Sequence, residues 1–361
     1  MKRRLASLAL ALGLVATAAA VAPVAAASPP VSLVTEALVY ADNTEFFNPY
    51  RTGETIFGVW AREYFSARLA GNVEVRAGVF VNERFGDERS FELVRPVISL
   101  RIGTDRSRFV LGTLETVRRA DGIGPDVTTL HGLLPPIQAE TLAFTRPYEN
   151  GVQWILDTER VKNDVFLSWQ KLNTPEHREV LDAGLAGRVH LSGPFWGGAQ
   201  LHVVHHGGQL YDVGPVTDSW AYGPGITAAG PVAFLDRASA EVYFLFSSDK
   251  RDREDPSRTT TGRGAFLRLA GEKNGWRGHL ILWRASDFVK EEGDANYLSR
   301  SEDGATFRSS RTYGELGLTK VFRPVSGVEL EPSFRLHRVD TAVEYSYRLI
   351  AKVSFDLPVI R

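Results

Sequence analysis

Glu344-Tyr345-Ser346-Tyr347-Arg348-Leu349-Ile350-Ala351-Lys352-Val353-Ser354-Phe355-Asp356 is the stretch that decides the fold. Tyr345, Tyr347, Leu349, Ala351, Val353 and Phe355 share one parity, while Glu344, Ser346, Arg348, Lys352, Ser354 and Asp356 share the other, with Ile350 as the exception. An extended chain sends alternate side chains to opposite faces, so this segment has one greasy face and one polar face. That is the pattern of a strand with lipid on one side and water on the other.

Working outward, the same alternation recurs. Val73, Val75, Ala77, Val79 and Val81 oppose Glu74, Arg76, Gly78, Phe80 and Asn82; after the polar connector Arg84 to Arg89, Val94, Pro96, Ile98, Leu100 and Ile102 interleave with Arg95, Ser99 and Arg101. Leu181 to Leu191, Ala238 to Phe246 and Val328 to Leu336 repeat it. Weaker candidates fall at 33–40, 56–69, 108–116, 140–146, 151–158, 163–171, 197–206, 217–228, 262–270, 276–285 and 311–322. The expectation is an all-β, antiparallel transmembrane β-barrel of about 16 strands, with 14 or 18 the neighbouring even counts. Three longer polar connections are expected, at 121–136, 248–261 and 290–311.

Lys2, Arg3 and Arg4, the apolar run from Leu5 to about Val21, and Ala25-Ala26-Ala27 before Ser28 form the three parts of a secretory signal. Residues 1–27 are therefore expected to be cleaved, leaving 28–361 as one barrel domain. Beyond the signal no run of about 18 apolar residues occurs, so membrane crossing would require strands. The 33 glycines suit many tight turns, and the absence of cysteine excludes a disulfide framework. A formal charge of −1 with no long basic block argues against nucleic acid as a partner.

A soluble sandwich alternates too. Lipid is favoured by aromatics near strand ends (Trp60, Tyr64, Trp154, Trp169, Trp276, Trp283, Tyr345 and Tyr347), by Arg and Glu on the opposite parity, and by strands that reach the C-terminal segment, where the last can close against the first. Through its signal and its repeated alternating segments, the chain resembles the porin-like Gram-negative outer-membrane β-barrels. It departs from them where Asp356-Leu357-Pro358-Val359-Ile360-Arg361 follows Phe355, since such barrels commonly finish on an aromatic residue.

The polar parity nominates Glu74, Arg76, Arg95, Arg101, Asp182, Arg188, Arg237, Glu241, Glu329, Glu331, Arg335 and Arg348 as lumen-lining. Rings of fixed charge can set ion selectivity, and paired charges can equally brace the barrel. Asp42, Glu45, Phe46, Phe47 and Tyr50, within Asp42 to Tyr50, read either as a ligand-contacting loop or as a loop packed beside the first hairpin. His202, His205 and His206 do not converge on one face of a strand, which argues against a metal. Gly223-Pro224-Gly225 lacks dinucleotide spacing, and no G-x-S-x-G occurs.

No catalytic residue, cofactor or metal is therefore assigned. The leading expectation is a passive outer-membrane channel for small polar or anionic solutes, with lipid and a small solute as partners. The alternatives are a closed scaffold barrel binding a partner protein or surface polymer, and an outer-membrane hydrolase. The sequence is compatible with a protein partner or a homo-oligomer.

Overall fold

The computed structural model describes residues 30–88, 91–116 and 129–360. The signal reading of residues 1–27 and much of the connection at 121–136 lie outside the described residues. The strands are β1 (Val31–Glu45), β2 (Thr55–Ala70), β3 (Val73–Arg84), β4 (Leu93–Gly103), β5 (Ser107–Thr113), β6 (Asn150–Asp157), β7 (Val161–Lys171), β8 (Glu179–Ser192) and β9 (Phe195–Gly207). They continue with β10 (Thr217–Val232), β11 (Leu235–Lys250), β12 (Thr259–Lys273), β13 (Trp276–Ser286), β14 (Ser310–Lys320), β15 (Phe322–Val325), β16 (Val328–Val339) and β17 (Ala342–Ile360).

Each strand pairs antiparallel with its sequence neighbour, except that β14 pairs directly with β16 and the four-residue β15 pairs with β16 alone. β1 pairs with both β2 and β17, which closes a ring of sixteen strands and leaves no edge. The residues beyond Phe355 are part of that closure, with Asp356 opposite Val34 and Leu357 opposite Leu33. Tight turns sit on one rim; Asn274-Gly275, both at positive φ, supply the twist that a two-residue hairpin needs. The longer connections, including 46–54, 129–149 and 287–309, leave from the other rim.

Outward side chains are apolar all round the wall: Phe65, Ile98, Phe109, Leu316 and Tyr347 are each more than half exposed. An apolar surface of this extent is foreign to a protein in water, and it identifies the wall as lipid-facing. In β17 the parity is observed directly, with Tyr345, Tyr347 and Leu349 exposed and Glu344, Ser346, Arg348 and Ile350 buried.

The interior departs from the sequence expectation of open strands around water. Residues 140–146 are no strand; Leu142–Thr145 form a single helical turn within an inward loop, 129–149. Phe144 stacks on Tyr40 with ring centroids 4.9 Å apart, and Ala143 and Leu130 join Trp60, Tyr64, Phe80 and Ile350 in one buried cluster. Ile350, the exception in the polar parity, is apolar because it meets this plug. On the opposite side Leu133, Leu134 and Ile137 pack with Phe166, Tyr243, Phe266 and Trp283, together with Phe288, Tyr297 and Leu298 of the second inward loop, 287–309. The loops bind each other through Ala139 N to Glu292 O (2.6 Å) and Asp294 N to Pro135 O (3.0 Å).

The aromatic girdle is corrected accordingly. Trp169, Trp276, Tyr345 and Tyr347 face outward, whereas Trp60, Tyr64 and Trp283 are buried inside. The inward tryptophans satisfy their indole N–H on the loops: Trp60 donates to Ala143 O at 3.2 Å and Trp283 to Tyr297 O at 2.8 Å.

Candidate functional site

Most residues of the polar parity stand in ion-pair networks on the inner wall. Glu74 accepts from Arg76 (2.7 Å) and Arg101 (3.0 Å), and Arg76 also reaches Glu115 (3.1 Å). Glu241 is held by Arg188 (3.3 Å) and Arg268. Glu331 receives Arg277 (2.9 Å) and Lys352 (2.8 Å), and Glu329 receives Arg323 (2.7 Å). Arg237 is half-buried, opposite Glu272 in the ladder. Arg95 stands exposed near the loop rim, its guanidinium on the Val94 carbonyl (3.2 Å).

Arg335 and Arg348 meet on the plug. Both donate to one oxygen of Glu140, at 2.7 and 2.9 Å, and Arg348 also binds Asp42 at 2.8 Å. Burial pushes the Glu140 carboxyl up, but the two guanidiniums outweigh it and hold it at about 2. A second clamp is His131, whose Nε2 lies 2.6 Å from Glu149 and whose Nδ1 lies 3.2 Å from Asp164. A carboxylate at each nitrogen calls for the doubly protonated ring. Burial would lower its pKa, yet Asp164 and Glu149 raise it to about 10.

The Asp42 to Tyr50 segment divides. Asp42 is buried in β1; Glu45 accepts from the Asn43 amide (2.8 Å); Phe47 is exposed, with its N–H on Glu344 (2.8 Å). Phe46 packs edge-on against His337, centroids 5.0 Å apart, and Tyr50 lies under the Arg311 guanidinium at 3.2 Å. Arg51 ties the loop to Asp294 at 2.6 Å.

Under Phe46 the register assembles an arrangement that sequence reasoning missed. Glu315 of β14 faces His337 of β16, and Ser346 of β17 is opposite Arg335, one inward position away. Ser346 Oγ lies 2.8 Å from His337 Nε2, His337 Nδ1 lies 2.7 Å from the Tyr313 hydroxyl, and that hydroxyl donates to Glu315 at 2.6 Å. One tautomer satisfies the whole chain: Ser346 donates to Nε2, Nδ1–H donates to Tyr313, and Tyr313 donates to Glu315. This is the wiring of a serine activated by a general base whose second nitrogen is oriented by an acceptor. The group lines a small cavity of about 30 Å³, room for a water or two. Shared inward parity of Glu315, His337 and Ser346 was the signal available in sequence; the register between strands was not.

The three histidines pair with separate acids. His202 is buried, 2.5 Å from Asp182 and 3.8 Å from Glu292, acids brought to it from β8 and the 287–309 loop. These three side chains are close enough to hold a cation. The Arg146 guanidinium already lies among them, 3.1 Å from Asp182 and 2.5 Å from Glu292. The donor set is thus neutralised by the protein's own cation, which does not fit a resident metal. His205 and His206 bind Asp218 (2.8 Å) and Glu291 (2.7 Å) separately.

Among solved structures, the fold is similar to a loop-deletion form of OmpT, an outer-membrane protein of Vibrio cholerae, with TM-score 0.55, 10% identity, 90% of this chain and 99% of that one covered. It is also similar to the trimer form of OmpT (0.53, 11%, 91% and 100%) and to Pseudomonas aeruginosa OccK3 (0.51, 12%, 91% and 96%). At such identities the likeness shows the fold alone. No curated protein matches the chain. Residues 25–360 match the model of a family described as lipid A 3'-O-deacylase-type. With nearly the whole chain inside that match, this outer-membrane barrel belongs to the lipid A 3'-O-deacylase-type family.

Proposed function

We propose that the chain is an outer-membrane hydrolase that releases an acyl chain from lipid A or a closely related acylated glycolipid. The observation that carries this reading is the hydrogen-bonded Ser346–His337–Tyr313–Glu315 chain inside a barrel of a deacylase-type family. Ser346 Oγ attacks the ester carbonyl as its proton passes to His337 Nε2. The ester C–O bond breaks, and His337 returns the proton to the sugar alkoxide. Water, deprotonated by the same nitrogen, then attacks the acyl carbon; the acyl–Oγ bond breaks, the fatty acid leaves, and His337 returns the proton to Ser346 Oγ. Arg335 and Arg348 line the same cavity and supply positive charge near the developing oxyanion. The cavity is roofed by Phe46 and the 46–54 loop, so substrate entry requires that loop to lift.

The sequence reading favoured a channel without covalent chemistry. The charged inner wall supports a passage for small polar or anionic solutes, but the two inward loops occupy the space such a solute would use. Fatty-acid release from purified lipid A separates the readings. Wild-type protein is expected to release one acyl chain and Ser346→Ala to lose about 10²–10⁴-fold in rate. Equal rates would remove Ser346 from the chemistry, and no release by wild-type would remove the hydrolase reading itself.

A further inference from the structure

The outer wall carries a feature that the inner site does not use. Near the loop rim, Arg284 of β13 and Arg338 of β16 point outward and are exposed, on either side of β14. Register places Arg284 opposite Thr312, and Arg338 opposite Gly314. Arg263 of β12 lies one outward position closer to the rim, opposite Ser286, since Ala265 is opposite Arg284. Among the described residues neither Arg263 nor Arg284 has a carboxylate within ion-pair distance, and the Arg338 guanidinium meets the Asp340 carbonyl at 3.3 Å. This contrasts with the inner wall, where arginine after arginine is matched to an acid.

Below these cations the wall is hollow. Arg284 and Arg338 border a groove of about 470 Å³ whose flanks are Val242, Leu267 and Leu282 and whose floor includes Ala265 and Gly314. Small residues make the hollow: a Cβ on Gly314 would have Leu282 Cδ2 at 3.8 Å and Arg338 Cβ at 3.9 Å, ordinary contacts, so the floor is open and not sterically required to be glycine. A lipid-facing cation is unfavourable in hydrocarbon and tolerated near the headgroups. Unpaired arginines above an apolar trough are complementary to a molecule with phosphate above and an acyl chain below.

We propose that this groove docks a phosphate-bearing, acylated lipid of the outer leaflet, with its phosphate between Arg284 and Arg338 and one acyl chain along Val242, Leu267 and Leu282. The site lies on the opposite side of the wall from Ser346. It goes beyond the hydrolase reading and stands without it, because it calls for binding and not for turnover.

The test is native mass spectrometry of detergent-purified protein titrated with lipid A, in the Ser346→Ala background so that turnover cannot erode the signal. The expected result is one retained lipid A per barrel beyond any held at the Ser346 cavity, with that additional adduct at least 10-fold weaker in Arg284→Glu/Arg338→Glu and similarly weakened in Gly314→Phe, which fills the trough without touching charge. Dephosphorylated lipid A should bind the unaltered groove as weakly as intact lipid A binds the charge-reversed one. Heat-modifiable gel mobility confirms that each variant remains a barrel. Undiminished retention in the charge-reversed protein would overturn the proposal. So would a dimer that Gly314→Phe splits without any lipid adduct, which would put a second copy of this chain on the groove. Acyl release in the Ser346 background bears on the hydrolase reading alone, so the two can fail separately.

Discussion

His337 is asked to do two things at once: accept from Ser346 through Nε2 and donate to Tyr313 through Nδ1. Tyr313→Phe removes the second function while leaving ring packing against Tyr297 nearly unchanged. We expect acyl release to fall about 10–100-fold with KM little altered and with a displaced pH–rate profile, whereas a purely structural tyrosine would leave the profile in place. Glu140 gives a separate prediction because it concentrates two buried arginines on one carboxylate. Glu140→Gln should destabilise the folded barrel by about 3 kcal/mol, since Arg335 stays buried with only the more distant Glu315 carboxylate, 3.5 Å away, to balance it. Thermal unfolding followed by gel mobility measures it. The depressed pKa means that this contribution is present above about 4.5 and is lost as pH falls toward 2.

At the scale of elements, the plug at 129–149 is held by apolar packing on both sides and by His131 between Glu149 and Asp164. A histidine whose pKa is raised by folding stabilises the folded form fully below about 6.5, and the effect is lost as pH rises through about 10. Hydrogen exchange of 129–149 should therefore accelerate between pH 7 and pH 10 in wild-type protein and be faster but pH-flat, beyond intrinsic exchange, in His131→Gln. Strands were legible in the sequence because lipid and a polar interior impose a strict two-residue period. The plug was not: Leu142, Ala143 and Phe144 are as apolar as a weak strand, and only their burial against Tyr40 and Trp60 reveals a helical turn. Trp60, Tyr64 and Trp283 misled for the same reason, since an aromatic ring suits an interface as well as a filled interior. The Ser346–His337–Glu315 grouping depends on register across three strands, which parity alone does not set.

For the whole molecule, closure by β1 against β17 and two inward loops make a wall without edges around a packed interior. The continuous backbone ladder predicts resistance to detergent: unheated protein should migrate differently from boiled protein on a gel, and identical mobility would count against the closed ring. The two inward loops pack against the inner wall on both sides, and that packing predicts a barrel that does not conduct. Planar-bilayer recording tests that most directly. Wild-type protein is expected to insert without steady ohmic conductance, while a variant lacking residues 130–145 conducts. Stable, porin-sized conductance steps from the wild-type protein would contradict the account, because the plug would then leave open the path that its packing fills.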